Sequence, residues 1–104
     1  MDQIINHYKG KTTSEGHKLE TRRDGDDVMI GFQHLGEYRD VYDPYVKIGR
    51  VQERSDGYRV GVYHLDAEEP TESMDVTSEC DLFVALDKAI EERSHEVGPR
   101  ENGE

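Results

Sequence analysis

The stretch Tyr45-Val46-Lys47-Ile48-Gly49-Arg50-Val51-Gln52-Glu53-Arg54-Ser55-Asp56-Gly57-Tyr58-Arg59-Val60-Gly61-Val62-Tyr63-His64-Leu65 decides the fold. Two β-rich runs, 45–53 and 58–65, flank Ser55-Asp56-Gly57, and Asp-Gly between such runs is a strong short-range hairpin signal. A three-residue loop with Gly57 in the left-handed region would pair Arg54 with Tyr58. That register places Val46, Ile48, Val60 and Val62 on one face, whereas a two-residue Asp-Gly loop would scatter them, so burial favours the longer loop. The opposite face would then carry Lys47, Val51, Glu53, Arg59, Tyr63 and Leu65.

Upstream, residues 17–23 read as a modest strand with Leu19 and Thr21 on one face. Asp24-Gly25-Asp26-Asp27 is a turn signal, and Val28, Ile30 and Phe32 then alternate as in a half-buried strand. Residues 36–44 interrupt the pattern, because Pro44 biases Asp43 away from helix. Residues 1–16 are harder to place: Ile4, Ile5 and Tyr8 suit either a short helix or an edge strand, and 10–16 read as loop.

Downstream, residues 66–77 read as an acidic connection with no apolar period. Ser78 then suits an N-cap, with Asp81 three residues later. Leu82, Phe83, Leu86, Ala89 and Ile90 form one helical stripe, and the helix should run to about His95, before Val97-Gly98-Pro99. The expected fold is α+β: a four-stranded, mostly antiparallel sheet of two hairpins, with one C-terminal amphipathic helix on one face. Residues 1–97 would form a single domain and 98–104 a disordered acidic tail. The second sheet face would stay open to water or to a partner unless residues 1–10 cover it.

Composition narrows the function classes. The chain has 104 residues, with 33 % hydrophobic against 36 % charged, so one small core is all it can bury. Its net charge of −11 is unevenly spread: residues 1–44 carry −3, 45–65 carry +2 and 66–104 carry −10. Acidic excess argues against general affinity for phosphate backbones or anionic lipid. The longest apolar run, Leu82 to Leu86, cannot span a membrane, and residues 1–6 do not resemble a secretory signal. With Cys80 alone no internal disulfide can form, so a reducing, cytoplasmic setting is expected.

Catalytic and metal-binding patterns are weak. His7, His17, His34, His64 and His95 lack ligand spacing, so neither a metal nor another cofactor is expected. Asp24, Asp26 and Asp27 resemble the start of a calcium loop, but its glycine and distal glutamate are missing, and an acidic hairpin turn explains them better. Cys80 sits in a first helical turn that would lower its pKa, yet Glu79 and Asp81 flank it and oppose that effect. No glycine-rich phosphate cradle opens a helix. A non-enzymatic protein is therefore expected.

Three surfaces remain. One is acidic: Asp66, Glu68, Glu69, Glu72 and Asp75, with Asp87, Glu91 and Glu92 on the helix. Such carboxylates can imitate spaced phosphates and occupy the basic surface of a nucleic-acid-handling protein, as an inhibitor or adaptor of phage or mobile-element type would. Solubility, or salt adaptation, explains the same residues with less. The second is the tyrosine set Tyr38, Tyr42 and Tyr45, a residue type enriched at interface centres. The third is basic and aromatic: Lys47, Arg50, Arg54, Arg59 and Tyr63, which would suit nucleic acid. Gly57-Tyr58-Arg59-Val60 and the helix phase of Phe83 to Ile90 are loosely similar to the arm-type DNA-binding domain of phage integrases, over half the chain. That resemblance implies a DNA-contacting hairpin, while the acidic 66–77 connection and acidic helix depart from it. The leading expectation is a small protein-interaction module for a partner with a basic surface; nucleic-acid binding is the alternative.

Overall fold

The computed structural model describes residues 2–33, 45–64 and 67–98. In chain order these form α1 (Asp2–Tyr8), β1 (Leu19–Asp24), β2 (Asp27–Gln33), β3 (Tyr45–Arg54), β4 (Gly57–Val62), β5 (Glu72–Val76) and α2 (Glu79–Val97). The strands make one antiparallel meander in the order β1-β2-β3-β4-β5. Both helices lie on the same face, α1 against β1 and β2, α2 against β3, β4 and β5. The α+β class and the hairpin-built sheet match the expectation. The sheet has five strands, not four.

The extra strand is β5, within the segment expected to be a plain connection. Its ladder with β4 sets Arg59 opposite Asp75 and Val60 opposite Met74. Glu72, Ser73, Met74 and Asp75 are all exposed, so main-chain hydrogen bonding forms this strand with little burial. An edge strand of this kind carries charges rather than an apolar alternation, which leaves period-two reasoning little to detect.

The second hairpin differs from expectation in register. Arg54 pairs with Gly57 across a two-residue Ser55-Asp56 turn, Glu53 pairs with Tyr58, and Val51 pairs with Val60. Gly57 has φ +151°, and a Cβ there would stand 2.1 Å from the Val76 carbonyl oxygen of β5, so only glycine fits. The valines nevertheless stay on the core side, because β3 contains a bulge. Ile30 pairs with Gly49 but Gly31 pairs with Lys47, leaving Ile48 as the extra residue. The bulge reverses the alternation halfway along β3. Val46 and Ile48 face the helices before it, and Val51, expected on the opposite face, is fully buried after it.

Residues 2–8 resolve as a helix whose i, i+4 pair, Ile4 and Tyr8, is buried. The α2 features follow expectation: Ser78 Oγ accepts the Asp81 amide at 3.1 Å, and Leu82, Leu86, Ala89 and Ile90 face the sheet. This helix reaches Val97 and is capped by Gly98, whose amide donates to the Ser94 carbonyl. The core unites Ile4, Tyr8, Leu19, Val28, Ile30, Phe32, Ile48, Val51, Val60, Val62, Leu82, Leu86, Ala89 and Ile90. The expected tail beyond Gly98 lies outside the described residues.

Candidate functional site: the second sheet face and the acidic flank

Alternation about the bulge brings Lys47, Arg50, Arg54, Arg59 and Tyr63 onto the sheet face turned away from the helices. These residues come together as the basic-hairpin reading requires, but two of the four cations, Arg50 and Arg59, are already matched by carboxylates. Arg50 lies 2.7 Å from Asp24 and 2.8 Å from Asp27. The hydrogen bond to Asp27 is the main reason its guanidinium pKa is held above the ordinary arginine value, with Tyr63 acting in the same direction. The acidic first turn is therefore a counter-charge for Arg50. Arg59 lies 3.1 Å from Asp75, which raises the arginine pKa and lowers the carboxyl pKa through the shared hydrogen bond. Lys47 donates to the Glu68 carbonyl at 3.4 Å, and Arg54 to Gln52 at 3.2 Å.

The tyrosines of this face are packed, not presented. The Tyr45 ring lies over Gly31, where a Cβ would stand 2.8 Å from its Cζ and 2.1 Å from the Val46 carbonyl oxygen. The Arg22 guanidinium covers the ring from 3.9 Å, and the phenol donates to the Glu20 carbonyl at 2.9 Å. Tyr63 is only 2 % exposed, with the Lys47 ammonium 5.6 Å from its ring centre. Pro70 sits against Gly61 and Met29 is buried nearby on the same face. The second face is thus closed by an aromatic layer under cations, without needing a second helix. Tyr38 and Tyr42 lie outside the described residues, as does Asp66.

The remaining acidic residues do not form one patch. Asp87 and Glu91 belong to a seam joining the N-terminal segment to α2. Gln3 donates to Glu79 at 2.9 Å, Tyr8 to Asp87 at 2.9 Å and Ser14 to Glu91 at 2.5 Å, and Glu15 contacts His95 at 2.7 Å. Burial, followed by the Asp87 contact, raises the Tyr8 phenol above its usual range. The α2 flank turned away from α1 carries Asp81, Ala85, Lys88 and Glu92 by helical periodicity. Glu68 and Glu69 lie in the segment that returns over the second face ahead of β5, where the Glu68 carbonyl meets Lys47 and Pro70 meets Gly61. On β5 itself, Glu72 contacts His64 at 3.2 Å and Asp75 pairs with Arg59. Glu72 and Asp75 thus lie on β5 and Glu92 on the adjoining α2 flank, with Lys88 and Arg59 among them.

Two buried polar groups escaped sequence reasoning. Arg93, 5 % exposed, donates to the Tyr63 carbonyl at 2.8 Å and pairs with Glu96 at 2.9 Å. Its place in the stripe Leu86, Ala89, Ile90, Arg93 was the available signal. Thr13, His17 and Ser94 form the other group: Ser94 donates to Thr13 at 2.8 Å, and His17 Nε2 meets the Gly98 carbonyl at 2.7 Å while its ring stacks on Phe32. Cys80 is exposed. Among the described residues no group of three or more His, Cys, Asp or Glu is placed to hold a metal ion. Nor is any described helix long and apolar enough to cross a membrane.

Comparison of the chain with protein-family models, with curated proteins and with solved structures finds no significant match.

Proposed function

We propose that the chain is a non-catalytic interaction module, an inhibitor or adaptor, that presents its acidic β5–α2 flank to a protein with a basic surface. The observation that carries this reading is the asymmetry of charge matching. Arg50 and Arg59 of the second hairpin are engaged by Asp24, Asp27 and Asp75. Glu68 and Glu69, by contrast, stand exposed in the segment leading into β5 and make no side-chain ion pair among the described residues. Glu92 meets only Arg93, at 3.8 Å. Field lines from unmatched carboxylates extend to a partner, while those of matched pairs largely cancel.

A nucleic-acid-binding hairpin is the second reading, and the shared face of Lys47, Arg50, Arg54, Arg59 and Tyr63 is what favours it. Stacking on bases would require Tyr45 or Tyr63 to be accessible. Both are covered, and this weighs against it.

The test is an amide-shift titration of the isotope-labelled chain at low salt with poly-lysine, a short DNA duplex and a DNA single strand. Shifts on residues 68–76 and on 81, 85, 88 and 92 with poly-lysine, lost with added salt and silent with DNA, support the proposal. Shifts on 47–63 with either DNA overturn it.

A further inference from the structure

We infer that the outer edge of β5 accepts an extended, alternately basic and apolar segment of the partner as a sixth strand. This inference rests on the acidic-flank reading and specifies its geometry. β5 ends the sheet, so one row of its main-chain N–H and C=O groups has no strand partner among the described residues. The opposite edge is not equivalent. There the Leu19 amide donates to the Lys11 carbonyl, Thr12 bridges Lys18, and Arg23 pairs with Asp2 of α1. Unpaired edge groups are the usual template for strand addition, in which the backbone supplies affinity and alternate side chains supply selectivity.

The side chains along β5 state which strand fits. Glu72, Met74 and Val76 alternate toward the helix side, and Ser73 and Asp75 point away. Met74, 39 % exposed, is one of only two large apolar side chains left exposed among the described residues. Glu72 flanks it on the same face, with His64 at 3.2 Å, and Asp75 follows it on the other face beside Arg59. Both carboxylates remain largely exposed and open to a further cation. An antiparallel strand would meet Met74 with an apolar residue, and would meet Glu72 and Asp75 with lysine or arginine. A second copy of this chain fits poorly. Self-pairing about Met74 would bring together two chains each of net charge −11 and set no cation opposite Glu72 or Asp75.

The probe is a capped peptide, Thr-Val-Lys-Ile-Thr-Lys-Val, which places isoleucine opposite Met74 and lysines opposite Glu72 and Asp75. Two further versions are N-methylated at alternate residues, one on each edge of the extended peptide. Binding to the full chain is followed by amide shifts and by hydrogen exchange of residues 72–76. Strand addition requires that the parent peptide protect β5 amides, that one methylated version bind about tenfold more weakly or worse, and that the other bind nearly as the parent does. The charge-reversing pair Glu72→Lys and Asp75→Lys should remove binding as well. Equal binding of both methylated versions overturns the inference, although a salt-sensitive response to poly-lysine would leave the acidic-flank reading standing. Silence of β5 toward all three peptides overturns it too. So does protection of β5 by self-association, seen as a concentration-dependent dimer. A response to DNA on 47–63 overturns inference and reading together.

Discussion

The Arg93 guanidinium, buried on α2, donates through Nη1 to the Tyr63 carbonyl at 2.8 Å and so fastens the helix to the end of β4. Its Nη2 meets Glu96 at 2.9 Å, while Nε has no partner among the described residues. Truncation would leave a buried carbonyl unpaired and a cavity beneath the helix. We expect Arg93→Ala to lower unfolding free energy by about 2–4 kcal/mol in urea titrations. Glu96→Gln, changing the half-exposed partner, should cost under about 1 kcal/mol. Equal costs would remove Arg93 from the role assigned here.

Tyr8 links stability to alkaline pH. Its folded-state pKa is raised above the ordinary 10.0, chiefly by burial and then by the hydrogen bond to Asp87. The phenol is thus more easily ionised in the unfolded chain, and its contribution is complete below pH 10.0 and declines as pH rises beyond it. Tyr8→Phe should cost about 1 kcal/mol at neutral pH through the lost bond to Asp87. The same variant should show a flatter loss of stability than wild type above pH 10.0. Parallel pH profiles for the two proteins would refute the linkage.

Gly31 is the site where the second face tolerates least. A methyl there meets the Val46 carbonyl oxygen and the Tyr45 ring at once, and the carbonyl belongs to the neighbouring strand. Gly31→Ala should destabilise by at least about 2–3 kcal/mol. Arg22→Ala, which uncovers the Tyr45 ring and removes the pair with Glu20, should cost about 0.5–1 kcal/mol. Thermal unfolding midpoints of the two variants would show the difference, and a silent Gly31→Ala would contradict the packing.

The bulge at Ile48 assigns adjacent residues of β3 to opposite environments. Val51 is 0 % exposed and Gln52 is exposed. We expect Val51→Ala to cost about 2 kcal/mol and Gln52→Ala within about 0.5 kcal/mol. The reverse order would mean that the uninterrupted alternation, with Val51 outward, describes the strand in solution.

The particular residues explain what was legible. Val28, Ile30 and Phe32, and the capped stripe from Ser78 to Ile90, declare themselves because burial imposes a period that composition alone does not produce. The bulge does not, since Lys47-Ile48-Gly49-Arg50 obeys no local rule, and the close approach of Leu86 of α2 to Gly49 is a tertiary contact. β5 was invisible for the opposite reason: its bonds are backbone bonds, and its side chains need only be compatible with water. Of the candidate surfaces, the clustering of Lys47, Arg50, Arg54 and Arg59 could be read ahead. The neutralisation of Arg50 and Arg59 could not, because Asp24, Asp27 and Asp75 reach them across strands.

The seam between the N-terminal segment and α2 has a kinetic consequence. Each strand of the meander pairs with its sequence neighbour, so the sheet can assemble by a series of short closures. The seam instead joins residues 76 to 81 positions apart, as in Gln3 with Glu79 and Thr13 with Ser94. α1 can settle on β1 and β2 as soon as they pair, but the seam contacts are gained only once α2 is in place. Closure of the seam between the N-terminal segment and α2 should therefore be the late step of refolding.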